Sequence, residues 1–525
     1  MRHLMIILLL FSFVYANAQA TFNEEYDIGN VYSVFRDLSY SNDTITLYGF
    51  FYAQEEAQWG MVVMQIDTSG NYLHHHEYLD EGGSDYNINL GTPMIKLSDG
   101  LGYLAAATKV SSANAFLIKF DREGNKEFVR EFENLFSGRN FYTQLLEVED
   151  GILVSGYKRQ GNGTRNCATL MKLDFSLNLQ WSQNYCPVDI DRSYYSLELV
   201  KASDSSYIAG TGSHLNWGSV PSWEANYQAV VLRLNDLGVL QWKWETPIGL
   251  DEFWATKVYQ LVDGNWGYIT KEGWYNPQYN EIASQPKFVV RNGDFELVRE
   301  DTFGIADNPW RFLGNTIKLD NGGFVAVGRT PWLYNTPPGP PPGAEPYNSI
   351  SGWMVRLDEY GQKMWQRVDT AYWSQESGSR SYLRNVIELP SGSLVACGYS
   401  ELIFPSGEEH TKAWVIKVDA NGCMDPLDCE TIVSTQDQPA VASELPMSMH
   451  VFPNPASEVI QVHFDQPAPA LLQLYDVNGR LLRRERTAFG TLSHRMEVRD
   501  LPNGMYWLKA QSKERVKTVK VVIAN

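Results

Sequence analysis

Short hydrophobic stretches interrupted by polar turn residues recur along most of the chain and predict β-strands. Residues 353–368 show the pattern, because Trp353, Val355 and Leu357 occupy every second position, which is the period of a strand. The following Asp-Glu-Tyr-Gly segment, residues 358–361, predicts a tight turn, since Asp accepts local backbone hydrogen bonds and Gly tolerates positive φ. The remaining residues then form the second strand of a hairpin.

Such hairpins occur in pairs, and the pair repeats seven times at intervals of roughly 60 residues. The first hairpin of each copy is apolar and lies at residues 34–50, 94–108, 144–157, 196–212, 258–273, 316–329 and 386–399. The second hairpin turns at residues 67–70, 121–124, 174–178, 235–238, 291–294, 358–361 and 419–422. The third and fifth of these turns depart from the Asp-x-x-Gly pattern.

Four antiparallel strands in each copy predict an all-β chain with a seven-bladed β-propeller at residues 25–429. A single blade cannot bury its own two faces, whereas blades stacked around an axis cover each other. Two successive β-sandwiches are the alternative arrangement. The propeller is favoured because the turns keep the same phase from copy to copy, which a sandwich does not require.

The connection between the second and third strands is enlarged in three consecutive copies, at about residues 213–226, 274–286 and 331–350. Connections in the same phase lie on the same face of a propeller, so these three should cluster on one side of it. Exposed aromatics on stiff connections suit a glycan or peptide ligand, and the predicted ligand-binding residues are Trp217, Trp223, Trp274, Tyr275, Trp332 and Tyr334. The alternative is that these side chains pack against one another and cover the blade ends.

The N-terminal segment, residues 1–20, has the features of a secretory signal peptide: Arg2, an apolar run and Ala-x-Ala cleavage sequences. This run is too short for a membrane-spanning helix, and no later stretch is long enough. The net charge of −19 argues against nucleic-acid and anionic-membrane partners. The charge is uneven, because residues 447–525 hold 11 basic and 7 acidic residues, so the remainder carries −23.

Five cysteines in an exported chain predict disulfides. Cys167 and Cys186 lie at matching distances from one hairpin turn, so a regular hairpin places them opposite each other. Cys423 and Cys429 close a short loop and form the second predicted pair. Cys397 lies in an apolar strand and is predicted to be a buried small side chain. Neither pair has the spacing of a zinc site.

A linker rich in Thr, Ser, Gln, Pro and Ala, residues 430–446, reads as flexible and precedes a small β module at residues 447–525. Its strands are separated by turn residues, of which the two Asn-Gly pairs are strong hairpin signals: Pro453, Asn454, Pro455, Asn478, Gly479, Asn503 and Gly504. The segments VFPNPASEVIQV, LYDVNGRLL, LPNGMYWLKA and VKVVIAN, in this order, resemble the type A C-terminal sorting domain of the Bacteroidetes type IX secretion system.

This resemblance implies an Ig-like sandwich that engages the type IX secretion machinery. It also implies export through the periplasm to the outer-membrane surface or the extracellular space. Domains of this kind are usually removed after export, and the linker would supply the segment that is cleaved. The repeats loosely resemble other bacterial β-propeller repeat proteins, which implies no particular activity.

The sequence contains no motif that predicts a catalytic residue, a metal site or a cofactor. His74, His75 and His76 alternate across a strand, so they do not all face one ligand. We therefore expect a non-catalytic surface module that binds a glycan or a protein. Two alternatives stay open: a carbohydrate-active hydrolase or lyase with carboxylates from separate blades at the channel, and a structural component of a surface layer.

Overall fold

The computed structural model is all-β in the residues that it describes, which hold 38 strands and no helix. These residues are 21–28, 32–88, 90–111, 114–132, 142–160, 165–189, 191–202, 206–215, 227–248, 255–276, 281–303, 312–331, 350–371, 378–403, 409–424, 449–464, 471–476, 481–486, 493–499, 501–512 and 515–524. The chain divides into two compact units, Met1–Val433 and Ser434–Asn525. Within the described ranges, no helix has the length and apolar character needed to cross a bilayer.

After strand β1 (Phe22–Tyr26), the first unit forms consecutive four-stranded antiparallel groups, which we call blades. Blade 1 contains β2 (Ser33–Ser41), β3 (Thr44–Ala53), β4 (Gln58–Asp67) and β5 (Tyr72–Tyr78). Blade 2 has a split inner strand, β6 (Tyr86–Asn87) and β8 (Met94–Lys96), with β7 (Leu90–Thr92) between them, and continues with β9 (Tyr103–Lys109), β10 (Asn114–Phe120) and β11 (Lys126–Phe132). Blade 3 contains β12 (Tyr142–Val148), β13 (Gly151–Gln160), β14 (Arg165–Leu173) and β15 (Leu179–Tyr185).

The later blades repeat this arrangement, and the inner strand of blade 4 is also split. Blade 4 contains β16 (Arg192–Tyr194), β17 (Glu198–Lys201), β18 (Tyr207–Leu215), β19 (Gln228–Leu234) and β20 (Leu240–Glu245). Blade 5 contains β21 (Tyr259–Gln260), β22 (Trp266–Asn276), β23 (Glu281–Arg291) and β24 (Leu297–Thr302). Blade 6 contains β25 (Phe312–Lys318), β26 (Phe324–Pro331), β27 (Ile350–Leu357) and β28 (Lys363–Asp369).

Blade 7 combines strands from the two ends of the unit. Its inner strands are β29 (Gly378–Glu388), β30 (Leu394–Ile403) and β31 (Glu409–Val418), and its outer strand is β1, which pairs antiparallel with β31. Phe22 and Tyr26 of β1 are buried, and the Tyr26 hydroxyl donates to the Gly70 carbonyl of blade 1 at 2.7 Å. The repeat pattern gave no sign that the fourth strand would come from the N-terminal end and not from residues after the turn at 419–422.

Seven hydrophobic clusters fill the spaces between neighbouring blades, including the space between the last blade and the first. The cluster that joins blades 7 and 1 contains Phe22, Phe35 and Val415. The cluster between blades 5 and 6 packs Phe288 against Phe324 and Trp353. Each sheet covers the next, and the last sheet covers the first, so the sheets form a closed ring. The predicted all-β propeller architecture is therefore confirmed.

Polar side chains at equivalent positions of the inner strands link the blades around the axis. We call them the central belt: Asp37, Gln144, Glu198, Lys257, Asn315 and Asn385. The buried Asp37 carboxylate accepts a hydrogen bond from Met94 N–H of blade 2 at 2.8 Å and another from the Asn385 amide of blade 7. Blades 1, 2 and 7 are therefore joined through one carboxylate.

The remaining belt residues continue this circuit. The Asn315 amide donates to the Asn385 carbonyl oxygen at 2.6 Å, and Lys257 Nζ donates to the Asn315 carbonyl oxygen at 3.0 Å. The backbone N–H of Lys257 donates to Glu198, and the Gln144 amide of blade 3 donates to the Leu199 carbonyl of blade 4 at 3.0 Å. Strand β7 completes the ring by pairing parallel with β12, which joins blade 2 to blade 3.

The turns between third and fourth strands share one geometry whether or not they contain glycine. At residues 358–361 the Gly361 N–H donates to the Asp358 carbonyl at 3.0 Å, and Gly361 has a φ of 79°. In the two departing turns Leu177 and Phe295 take this place, with φ of 59° and 64°. The fifth turn is therefore residues 292–295 and not 291–294, because the Phe295 N–H donates to the Asn292 carbonyl. Both side chains are buried, and the Phe295 ring lies 5.0 Å from the Trp242 ring of blade 4, so packing offsets the unfavourable left-handed backbone.

The second unit is a small sandwich of two antiparallel sheets. One sheet contains β32 (Met449–Phe452), β33 (Val459–Phe464) and β36 (Ser493–Glu497), and the other contains β34 (Leu471–Tyr475), β35 (Leu481–Arg486), β37 (Gly504–Ser512) and β38 (Arg515–Ile523). Residues of both sheets, among them Ile460, Leu474 and Leu508, share one buried core. Two antiparallel sheets around a single core fit the Ig-like sandwich that the resemblance to a sorting domain implies.

Candidate functional site

The predicted aromatic set lies mostly in residues that the structure does not describe. Trp217, Trp223, Trp332 and Tyr334 are outside the described residues, and their proposed role stays a prediction. Trp274 and Tyr275 lie within β22, where Trp274 pairs with Ala283. The prediction of an enlarged connection at 274–286 is wrong, because the ladder of blade 5 continues up to the pair Asn276 and Glu281, so most of these residues belong to strands.

A cluster of tyrosines and arginines lies at the same end of the inner strands as these connections. We call it the mouth cluster: Arg36, Arg329, Tyr382, Arg384 and Tyr399. The Tyr382 and Tyr399 rings are buried and stacked, with centroids 4.5 Å apart and planes at 20°. These rings occupy paired positions on β29 and β30, so the ladder of blade 7 sets their stacking.

Three blades direct guanidinium groups toward this tyrosine pair. Arg384 of blade 7 lies 5.6 Å from the Tyr382 ring and donates to the Tyr399 hydroxyl at 2.8 Å. Arg329 of blade 6 lies 5.0 Å from the Tyr382 ring, and Arg36 of blade 1 lies 6.0 Å from the Tyr399 ring. Cations at these distances are attracted by the aromatic ring faces, so the tyrosine pair stabilises the convergence of positive charges.

Local backbone irregularity places two of the arginines. The ladder register shifts between Phe35 and Asp37, and it shifts again between Leu383 and Asn385. Arg36 and Arg384 are therefore the extra residues of two equivalent β-bulges, each one position before a belt residue. A bulge turns its side chain away from the regular alternation of the strand, which explains why period-two reasoning missed both residues.

The mouth cluster is electrostatically positive. Burial, together with the neighbouring Arg384, lowers the pKa of the Arg36 guanidinium to about 10. Lys271 of blade 5 is also close to this region, and burial together with Arg329 lowers its pKa to about 7. The carboxylate beside the cluster is Glu401, which accepts hydrogen bonds from the Tyr382 hydroxyl at 3.3 Å and from Arg380 at 3.5 Å.

Arg36 has hydrogen-bonding capacity that the described residues do not use. Its Nε and Nη1 atoms are buried and have no hydrogen-bond partner among the described residues. Its guanidinium instead lies 4.9 Å from the Phe50 ring, beside the half-buried Tyr32 and Trp59, whose rings are 4.7 Å apart. The ring face of Phe50 is therefore a partner that the described residues offer this guanidinium in place of hydrogen-bond acceptors.

A smaller polar group lies at the same end of blade 4. Arg192 Nε donates to the Ser213 hydroxyl at 2.8 Å, and the Tyr195 and His214 rings stack with centroids 4.7 Å apart. Burial and the charge of Arg192 lower the pKa of His214 to about 4, so this imidazole is neutral at pH 7. It is available for hydrogen bonding but adds no charge to this end of the propeller.

The contacts of the histidines at residues 74–76 and of the cysteines indicate structural roles. His74 Nε2 is hydrogen-bonded to the Glu123 carbonyl at 2.8 Å, and no group of three or more His, Cys, Asp or Glu in the described ranges is arranged to hold a metal ion. Cys167 and Cys186 form the predicted disulfide, with Cα atoms 4.4 Å apart. Cys423 is disulfide-bonded, while its predicted partner Cys429 lies outside the described residues, and Cys397 is free and buried.

Two of the sorting motifs of the second unit, the Pro-Asn-Pro segment and the last strand, meet in space. The Asn454 side chain accepts a hydrogen bond from Val522 N–H and donates to the Lys520 carbonyl, both at 2.8 Å. The amide thus ties the Pro-Asn-Pro segment of residues 453–455 to the last strand of the chain. Gly504 begins β37, whereas Asn478 and Gly479 lie outside the described residues.

Family comparison agrees with this geometry, because residues 450–524 match the secretion system C-terminal sorting domain. These residues are a type IX sorting domain. The protein is therefore exported to the cell surface or the extracellular space. The sorting domain covers only the last part of the chain and says nothing about the ligand of the propeller.

Comparison with curated proteins returned no match to the chain. Among solved structures, the β-propeller domain of the Trilobed protease from Pyrococcus furiosus is 10% identical, with a TM-score of 0.38 over 73% of this chain and 93% of that one. Acylaminoacyl peptidase from Pyrococcus horikoshii is 10% identical, with a TM-score of 0.38 over 85% and 60%. A GH93 α-L-arabinofuranosidase of Fusarium graminearum is 12% identical, with a TM-score of 0.36 over 64% and 98%. These likenesses are too distant to indicate an activity.

Proposed function

We propose that this exported protein is a non-catalytic binding protein whose propeller holds a glycan or protein ligand at the mouth cluster. The observation that carries the proposal is the stacked Tyr382–Tyr399 pair with guanidinium groups from three blades around it. A ligand site is expected where polar donors and aromatic faces from several elements converge in a concave region. Polar donors and aromatic faces from three blades converge in this way at the mouth cluster.

The connections near the mouth cluster also support a ligand site at this end of the propeller. The connections that the sequence marks as enlarged leave the blades at this end, and Arg329 lies two residues before one of them begins. Trp217 and Trp332 are the predicted ligand-binding aromatics of two of these connections, and Trp274 lies in β22 close to the third. A ligand that reaches the mouth cluster would pass these aromatics, which could stack against it.

A carbohydrate-active hydrolase or lyase is the second candidate, and one observation favours it. Burial raises the pKa of the Glu401 carboxyl, as expected of a general acid. Glycoside hydrolysis ordinarily needs a second carboxyl within about 5–10 Å of the first. Release of products from a bound glycan, lost in the variant Glu401→Gln, would favour this candidate over simple binding.

The proposal is tested with the chain from residue 21 on glycan and protein arrays. The triple variant Trp217→Ala, Trp274→Ala and Trp332→Ala should reduce the signal of any ligand by roughly ten-fold or more, because each aromatic platform contributes about 1 kcal/mol or more. A matched control replaces Leu237 and Tyr360, which are exposed in turns at the opposite end of the blades. Full retention of binding by the tryptophan variant would count against the proposal.

A further inference from the structure

We propose that a cleft between blades 2 and 3 binds a short basic segment of a partner protein and holds a lysine or arginine side chain of that segment. The cleft lies among the turns, at the opposite end of the blades from the mouth cluster, so this inference goes beyond the function proposed above. Its volume is about 500 Å³, within the range of about 300–1,000 Å³ that ligand pockets have. We call it the seam cleft, and six of its residues carry most of the argument: Leu97, Phe128, Glu147, Glu149, Ile152 and Phe175.

The interior of the seam cleft is apolar. Leu97 and Leu104 of blade 2 and Ile152 of blade 3 line it, and all three are buried in the cluster that joins these blades. Phe128 and Phe175 line it where it opens to solvent, and they are 40% and 55% exposed. Covering exposed rings of this kind with an apolar stem is favourable, so the cleft offers a partner binding energy.

The contact between blades 2 and 3 lacks a hydrogen bond that other neighbouring blades have. At three such contacts an outer-strand tyrosine donates its hydroxyl to the carbonyl of a turn glycine in the next blade: Tyr26 to Gly70, Tyr78 to Gly124 and Tyr185 to Gly238. Phe132 stands eleven residues after the first residue of its turn, as Tyr78 and Tyr185 do, but it has no hydroxyl. The tyrosine bond is therefore missing where the seam cleft opens.

The ring of Phe128 is also less covered than an equivalent ring in another blade. Phe128 pairs with Lys119 in blade 2, as Trp365 pairs with Arg356 in blade 6. Trp365 is only 5% exposed, because the turn at Gly422 of the next blade lies against its indole. The larger exposure of Phe128 leaves part of its ring open to an incoming side chain.

Phe175 is not required by the turn that carries it. The turn is closed by backbone atoms, because the Leu177 N–H donates to the Asp174 carbonyl at 2.9 Å. The position of Phe175 is polar or small in the other six turns: Thr68, Arg122, Asp236, Gly293, Glu359 and Ala420. The exposed ring is therefore explained better by contact with a partner than by the turn itself.

The charges of the seam cleft favour a cationic partner. Its lining holds three carboxylates and one ammonium group: Asp99, Glu147, Glu149 and Lys119. Lys119 already forms an ion pair with Glu127 at 3.0 Å. The Glu147 carboxylate accepts hydrogen bonds from the Ser98 N–H at 2.8 Å and the Ser98 hydroxyl at 2.6 Å, which fix its position without a counter-charge. Glu149 is exposed, so its carboxylate can meet a cation at the opening.

A basic polypeptide fits this arrangement better than a free polyamine does. Lysine and arginine carry one charge at the end of an apolar stem, so the stem can cover the rings while the charge reaches the carboxylates. A polyamine carries charges along its length, and one of them would lose hydration on the apolar floor. An acidic segment would be repelled by the rim.

The test is fluorescence polarisation with the chain from residue 21 and four labelled hexapeptide pools that differ at one fixed residue: lysine, arginine, norleucine or glutamate. The lysine and arginine pools should bind, and more weakly as salt rises, whereas norleucine, which keeps the stem without the charge, should bind several-fold more weakly. The variants Glu149→Gln and Phe175→Ala should each weaken binding roughly three-fold, and together roughly ten-fold. Both side chains are exposed, so the melting temperature should not change.

Glu123→Gln is the matched control, because it removes one exposed carboxylate at the same end of blade 2 outside the cleft lining and should leave binding within two-fold. Equal binding of the norleucine or glutamate pool, or unchanged binding by the combined variant, would overturn the inference. Displacement of the lysine pool by an equal concentration of spermidine would also overturn it. The triple tryptophan variant should bind the lysine pool normally even if it loses every glycan, so failure of one proposal is distinguishable from failure of the other.

Discussion

The strand that closes the ring should be worth a measurable share of the stability of the propeller. Phe22 and Tyr26 are each only 7% exposed, and they sit on the outer strand of blade 7 while contacting the Gly70 turn of blade 1. Replacing a buried phenylalanine by alanine typically costs about 3–5 kcal/mol. Since whole domains are stable by about 5–15 kcal/mol, Phe22→Ala should remove a large fraction of that margin.

The assay is urea unfolding followed by tryptophan fluorescence, in which the midpoint should fall for Phe22→Ala and fall further when Tyr26→Ala is added. Glu24→Ala is the matched control, because Glu24 lies in the same strand, is exposed and should change stability by less than about 0.5 kcal/mol. If Phe22→Ala unfolds at the same urea concentration as Glu24→Ala, then β1 does not close the ring in solution and the closure argument fails.

Three further outcomes follow from the structure. Removing the disulfide with Cys167→Ala and Cys186→Ala frees a loop with a sequence separation of 19, so stability should drop by about 3 kcal/mol in urea unfolding. Burial raises the pKa of Asp37 to about 7, so the folded chain holds a proton that the unfolded chain releases. Stability should therefore fall as pH rises from about 4 to 7, by up to about 4 kcal/mol, and a pH series on Asp37→Asn should show a flatter profile. Asn454→Ala removes two hydrogen bonds to the last strand, so immunoblots should show precursor retained in the periplasm, whereas Arg499→Ala at the exposed surface should be exported normally.

Much of the architecture could be predicted because it depends on patterns of residues that are close together in the sequence. The Asp-x-x-Gly turns at 67–70 and 358–361 recur in phase, and their hydrogen bonds are local. The alternation of Trp353, Val355 and Leu357 predicts a strand at these residues, and they lie in β27. Where one side of a strand is buried, the period of two is strong enough to specify it.

What sequence reasoning missed depends on contacts between distant residues. Strand β1 follows the predicted signal peptide and pairs with β31, almost 400 residues away, so no local repeat could assign it. The arginines of the mouth cluster were missed because β-bulges displace Arg36 and Arg384 from the regular alternation. One signal was present: Arg380, Tyr382 and Arg384 occupy alternate positions of one strand, an unusual run of cations and rings for an inner strand.

The central belt also bears on how the number of repeats can change. Tandem units that are chemically alike at the axis can be duplicated or deleted with little local penalty. In this protein the axial residues differ from blade to blade, and each is matched to its neighbour. The Asp37 acid is paired with the Asn385 amide, and the Lys257 amine is paired with the Asn315 amide. Loss of the unit that carries Lys257 would leave the Glu198 carboxylate beside Asn315 without a cation, and an extra copy would interrupt the circuit elsewhere. Recombination between copies is thus opposed by side-chain chemistry at the axis, even though the blades share one architecture.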